Sequence, residues 1–350
     1  MMWEDILIKL KEERPDLFQV YAAHEEYCWS FHDKHERFLA RYSKRSVYKC
    51  EVSEWLFNKG LLNIEWPGKA NFAVVLTHDI DHLRMEKFYA LGSTIKALRQ
   101  AKFSDAGRRL VGMLIKNYDP FMSLERIIRL EEQFGAKSTF FFLVNEKDFC
   151  GGNSLDELSD MVGSITDKGW EVGLHLGYFS YNNPIKISNE KKILEDISGF
   201  KIKGVRNHFL RFSVPSSWEI LSQFFEYDST YGYADHVGFR NGMCHPFKPC
   251  TLDGRIINIW EIPLTVMDTA FLKYMDADAQ EAFEWIKLLV RIVEKVRGVI
   301  TLLWHNTTFD EIVYSDYAKL YMALLRYFKE LRAWLTNCGE LHDYWTEIVK

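Results

Sequence analysis

Seven short apolar runs punctuate the chain, and each ends on, or runs into, a polar residue suited to chemistry. Phe72–Leu76 leads into Asp79 and Asp81, Thr139–Val144 into Asn145, and Trp170–Leu174 into His175. The run ending Gly204-Val205 leads into Arg206 and His208, and Phe225–Tyr227 into Asp228. Ile257–Trp260 leads into Glu261, and Val299–Trp304 into His305. Strand-length apolar runs separated by helix-like segments predict repeated βα units and a parallel sheet. If those strands close into a barrel, their C-terminal ends share one rim, where active sites sit. Residues from 79 to 305 then meet in one pocket.

The flanks have a different rhythm. Trp3, Ile6, Leu7 and Leu10 recur at helical spacing, and Pro15 ends or kinks that helix. Ser53–Asn58 predicts a short helix stopped by Gly60, and Pro67-Gly68 a turn. The expected division is a mainly helical segment over 1–68 and a barrel with a C-terminal helix over 69–350. His32 and His35 lie in a charged stretch that reads as a solvated helix face. An insert of about residues 84–135 carries a basic helix (Lys96, Arg99, Lys102, Arg108, Arg109) and an amphipathic helix from Ser123. Asn153 or Ser154 is expected to cap the next helix, and Pro215 to open the one before the fifth strand. Two further helical patterns cover about 277–296 and 314–336.

Composition narrows the function classes. The chain has 350 residues, 47% of them hydrophobic, enough for one large α/β domain. With 44 basic against 49 acidic residues and no basic block, nucleic acid is not an expected partner. No apolar run approaches the roughly 18 residues of a membrane helix, and the charged N-terminus is not a signal peptide. The six scattered cysteines lack a Cys-x-x-Cys pair, which points to a reduced, cytoplasmic setting.

Strand parity sharpens the candidate chemistry. Thr77, Asp79 and Asp81 share one face of the first strand, and His78, Ile80 and His82 the other. Two adjacent same-face carboxylates call for a cation or an arginine. His175 suits a metal ligand or an acid/base, Arg206 a partner for a strand-one carboxylate, and His305 a general acid. The glycine-punctuated stretch 227–242 suggests a sugar subsite through Tyr231, Tyr233 and Arg240. Glu261 and Asp268 are expected on the far side of the pocket.

From about residue 70 to 310 the chain resembles the polysaccharide deacetylase superfamily, carbohydrate esterase family four. Thr77-His78-Asp79-Ile80-Asp81 resembles its Asp pair, implying Asp79 as catalytic base and Asp81 as metal ligand. His175 matches the first member of its histidine pair, whereas the second, due at position 179, is Phe here. Gly204-Val205-Arg206 resembles the motif whose arginine positions the base, Asp228 loosely matches a fourth motif, and Leu303-Trp304-His305 matches Leu-x-His. The resemblance implies a distorted seven-stranded β/α barrel and a divalent metal, Zn²⁺ first. It also implies removal of N-acetyl groups from an acetamido sugar, in a surface glycan or its nucleotide- or lipid-linked precursor. With Phe at 179, His208 is taken as the third ligand, because it shares the inward face with Arg206 on an adjacent strand; His82, should the first strand end before it, and a weaker site of two protein ligands and more water are the alternatives. Three rivals stand beside this reading: a metal-independent amide or imide hydrolase, a glycosidase using Asp79, Asp228 and Glu261, and a non-catalytic glycan-binding protein.

Overall fold

The computed structural model describes residues 2–27, 31–84, 107, 123–310 and 314–349. The expected basic helix of the insert lies outside these residues. Among the described residues, nine strands form one parallel sheet: β1 Ala73–Ile80, β2 Thr139–Leu143, β3 Glu171–Leu176, β4 Gly204–Asn207, β5 Tyr227–Asp228, β6 Trp260–Glu261, β7 Val266–Met267, β8 Val299–Leu303 and β9 Trp334–Thr336. The order β6-β5-β4-β3-β2-β1-β8-β7 curls into a distorted barrel with helices outside. Each of the seven predicted runs forms or enters a strand. They read as unbroken apolar stretches because helices cover one face and the barrel interior the other.

Two strands go beyond the seven expected. β7 has two residues, too short for any periodicity to register. β9 emerges from the predicted 314–336 helix, which instead ends at Glu330. Arg332 turns through φ 58°, and Trp334–Thr336 then pairs with Ala73–Val75 of β1. β2 pairs with β1 further along, at Thr77–Ile80. One long strand thus serves two short neighbours in succession.

The registers align the strands in rows across the barrel. Asp79 pairs with Phe141, Phe141 with Gly173, and Gly204 with Tyr227. Side chains of this row point inward, so two glycines make room for two rings. A Cβ on Gly173 would lie 2.6 Å from the Phe141 ring, and one on Gly204 would overlap the Tyr227 ring. The aromatics floor the lumen, and the next inward row, Asp81, His175 and Arg206, stands above it.

The N-terminal segment belongs to the barrel's own core. Trp3, Ile6, Leu7 and Leu10 line the buried face of the helix Trp3–Glu13, and Pro15 opens a second helix, Pro15–Tyr21. Trp3 meets Trp260 and Trp345 edge-on at 5.4 and 6.4 Å. The His32–Arg37 stretch is not the solvated helix face expected: it contains no helix, and His35 and Arg37 are buried. Arg37 is drawn in by Asp33, the Phe209 carbonyl and the Tyr274 hydroxyl, which satisfy its guanidinium. Cys244 and Cys250 are both buried free thiols.

Candidate active site

β1 delivers its two acids to the rim on one face, as alternation requires. Arg206, fully buried at the end of β4, donates from Nη1 to Asp79 Oδ1 at 3.0 Å and to Thr77 Oγ1 at 2.7 Å. Its Nε and Nη2 bond the Ser229 carbonyl and hydroxyl, both at 2.8 Å. The guanidinium also lies over Phe141, 4.5 Å from the ring centre. These bonds and this packing fix its plane, and through it one oxygen of Asp79. Asp79 Oδ2 sits 3.7 Å from His175 Nε2.

Asp81, His175 and His208 converge beside Asp79. Their ligand atoms lie within 4.8 Å of one another. Asp81 Oδ1 is 3.1 Å from His175 Nε2 and 3.5 Å from His208 Nε2. His175 Nδ1 faces the Arg206 carbonyl at 3.0 Å, which leaves Nε2 to carry the lone pair in the neutral ring. The buried Asp81 Oδ1 and His208 Nδ1 make no hydrogen bond. One carboxylate oxygen and two imidazole nitrogens, with an orphaned buried acceptor among them, fit a divalent ion with room for further ligands. Without a cation, burial disfavours charge on His175, yet Asp79 and Asp81 together raise its pKa. Burial likewise opposes ionised Asp81, but His208 and His175 hold its pKa well below the usual carboxylate range.

His208 reaches this position because β4 stops at Asn207 and the chain turns sharply. Phe209 and Leu210 adopt φ 61° and 53°. Left-handed conformations in bulky residues cost roughly 1–3 kcal/mol each and gather at functional sites. Gly151 packs against the ring: a Cβ there would come within 3.2 Å of His208 Cε1. Phe179, where the deacetylase pattern has its second histidine, is 60% exposed and takes no part. Asn153 is not a helix cap. Its Nδ2 donates to the Ile80 and Leu143 carbonyls, and its Oδ1 accepts from the Leu83 amide, so it clamps the ends of β1 and β2. Ser154 holds the N-cap position without a side-chain bond.

His305 follows β8 and pairs with Asp268. Its Nδ1 lies 2.7 Å from Asp268 Oδ1, and its amide donates to Asp268 Oδ2 at 2.8 Å. Burial works against a charged ring, but Asp268, then Asp81 and Asp79, push the His305 pKa up to about 9. Asp268 is itself held low, against burial, by His305. Asp268 is thus the histidine's partner, a role that strand parity alone does not assign. Its signal in the sequence is the short apolar pair Val266-Met267 before it, a strand end like the others.

Asp228 and Glu261 are not brought to this site. They pair across β5 and β6 in the row of Val205, which faces away from Arg206. Glu261 accepts from Trp218 Nε1 at 2.7 Å and the Tyr231 amide at 3.2 Å, and Thr230 bonds Asp228. A shift of one residue in strand parity turns both acids to the outer face. Nor do Tyr231, Tyr233 and Arg240 line a sugar subsite. All three are buried, and Arg240 forms a two-pronged ion pair with Glu26 while donating to the Gly232 carbonyl. The Tyr231 hydroxyl also bonds Glu26, at 2.6 Å. This group anchors the N-terminal segment.

No protein-family model matches this sequence, and no curated protein matches it. Solved structures do match. A protein from Mycobacterium smegmatis assigned as a polysaccharide deacetylase is 15% identical, with TM-score 0.55 over 82% of this chain and 94% of its own. One from Pseudomonas aeruginosa, with the same assignment, is 12% identical, with TM-score 0.55 over 87% and 98%. This is the polysaccharide deacetylase fold. PuuE allantoinase shares it, 14% identical with TM-score 0.56 over 87% and 97%. A deacetylase fold supports several chemistries, so function must be argued from the side chains at the rim.

Proposed function

We propose that this chain is a metal-dependent hydrolase that removes N-acetyl groups from an acetamido sugar. One observation carries the reading: the Arg206-held Asp79 stands beside the Asp81–His175–His208 cluster, and His305 is paired with Asp268 at the same rim. A divalent ion held by Asp81, His175 and His208 would supply a Lewis acid and lower the pKa of bound water. Zn²⁺ suits two imidazoles and a carboxylate.

Asp79 accepts the proton of the attacking water on Oδ2, the oxygen that Arg206 leaves free. His305, with Nδ1 committed to Asp268, gives the proton on Nε2 to the departing sugar amine. With a pKa of about 9 it carries that proton at neutral pH. Bases and acids so placed contribute roughly 10²–10⁴-fold each.

The test is acetate release from a panel of free, nucleotide-linked and lipid-linked acetamido sugars, with and without Zn²⁺, together with metal analysis of the purified protein. Acetate release that stops with chelator and returns with metal is expected. Replacing His208 by alanine should lower bound metal. The shared fold with an allantoinase favours a second reading, hydrolysis of a ring amide or imide. Ring opening of such a compound with no acetate from any sugar would establish it instead.

A further inference from the structure

Beside the metal-ligand cluster, four rings from four separate segments pack together. His35 comes from the N-terminal segment, Phe149 from the loop after β2, Tyr178 from the loop after β3, and Phe209 from the turn after β4. Phe149 lies 4.6 Å from Tyr178 and 5.4 Å from Phe209, and His35 4.7 Å from Phe209. Phe209 in turn lies 4.7 Å from the His208 ring.

The backing rings are held firmly. His35 Nδ1 meets the Tyr178 hydroxyl at 3.1 Å, and Arg211 stacks on Tyr178 at 4.3 Å. Arg211 bonds the Tyr178 and His35 carbonyls, while Arg37 bonds that of Phe209. Phe149 is different: it is 40% exposed, although it is a large apolar ring. Phe179, 5.1 Å from Tyr178, is 60% exposed. The Phe149 loop is tied to the site. The Gly152 amide bonds the Asp81 carbonyl at 3.0 Å, and Cys150, next to Phe149, adopts φ 54°.

Exposed rings on a rigid backing beside a hydrolytic centre suit a ligand with one apolar face. A pyranose has such a face in its axial C–H groups, and its hydroxyls remain free for water. We propose that Phe149 and Phe179, backed by Tyr178, Phe209 and His35, form an aromatic ledge on which sugar rings of the substrate stack. The N-terminal segment then contributes to substrate binding through His35. This rests on the deacetylase reading for its choice of sugar, but its test reads binding.

The probe is di-N-acetylchitobiose, titrated calorimetrically into the full chain carrying Asp79→Asn, which binds without turnover. Adding Phe149→Ala or Phe179→Ala should weaken binding roughly three- to tenfold. The melting temperature should stay close to wild type for Phe179→Ala, at the more exposed ring, whereas Phe149→Ala removes a ring packed on Tyr178 and Phe209; Phe149→Leu, which keeps apolar bulk there, is therefore run beside it and should weaken binding as well. Phe200→Ala, at a ring equally exposed at 40% but before the N-terminal end of β4, should leave binding unchanged. Equal binding with and without both ledge rings overturns the proposal, as does absence of binding by Asp79→Asn. Ring-dependent binding with no acetate from the wild-type chain would sink the deacetylase reading and keep the ledge.

Discussion

Asp79 and Asp81 are two residues apart on one strand, yet their surroundings give them different work. Arg206 occupies one oxygen of Asp79, whereas Asp81 faces two imidazoles and keeps a buried oxygen without a hydrogen bond. Asp79→Asn should therefore lower acetate release by roughly 10²–10⁴-fold while the metal content per chain stays constant. Loss of metal in that variant would reassign Asp79 as a ligand. His305 must be protonated to act as an acid, so the rate should fall as pH rises through about 9. Asp268 is the nearest charge raising that value. In Asp268→Asn the alkaline limb of the pH–rate profile should move to lower pH. An unmoved limb would mean another group titrates there.

At the scale of elements, one-residue parity separates chemistry from architecture. The inward row carries Asp81, His175 and Arg206, whereas Asp228 and Glu261 fall in the outward row beneath the helix Ser216–Leu221. Burial raises the pKa of both outward carboxyls, and the charge of Asp228 pushes Glu261 up further. Both oxygens of Glu261 accept N–H bonds, while Asp228 Oδ2 has no hydrogen-bond partner. A carboxyl with a raised folded pKa binds its proton more tightly in the folded chain. Its stabilisation is complete below the unfolded value of about 4 and is lost as pH rises through the folded one. Asp228→Asn should keep activity and flatten the decline of stability above about pH 4, read by urea unfolding across pH. A large loss of turnover would instead return Asp228 to the catalytic set.

Across the whole molecule, one continuous core joins the N-terminal helices to the barrel. Trp3 is buried against Trp260 and Trp345, and its Nε1 bonds the Tyr21 hydroxyl at 2.9 Å. Trp3→Ala should cost about 3–5 kcal/mol, and the chain should still unfold in one transition. Two separated transitions would show that the segment folds apart from the barrel.

Strand positions, their parallel arrangement and the rim positions of Asp79, Asp81, His175, Arg206 and His305 were legible because local apolar runs and period-two alternation are properties of neighbouring residues. His208 was singled out by parity with Arg206, but β4 stops at Asn207, and it is the turn through Phe209 and Leu210 that brings its ring to the cluster. Arg206 with Asp79 was an expected pairing between distant segments, but three others were not legible. Asp268 finds His305, Asp228 finds Glu261 on the outer face of the sheet, and Glu26 buries Arg240, each across a long stretch of intervening chain. The sequence alone thus determined which residues stand at strand ends. Only the tertiary structure decided which of them face a common hollow, because closing the barrel sets neighbours by register, and register is fixed by packing across the whole sheet.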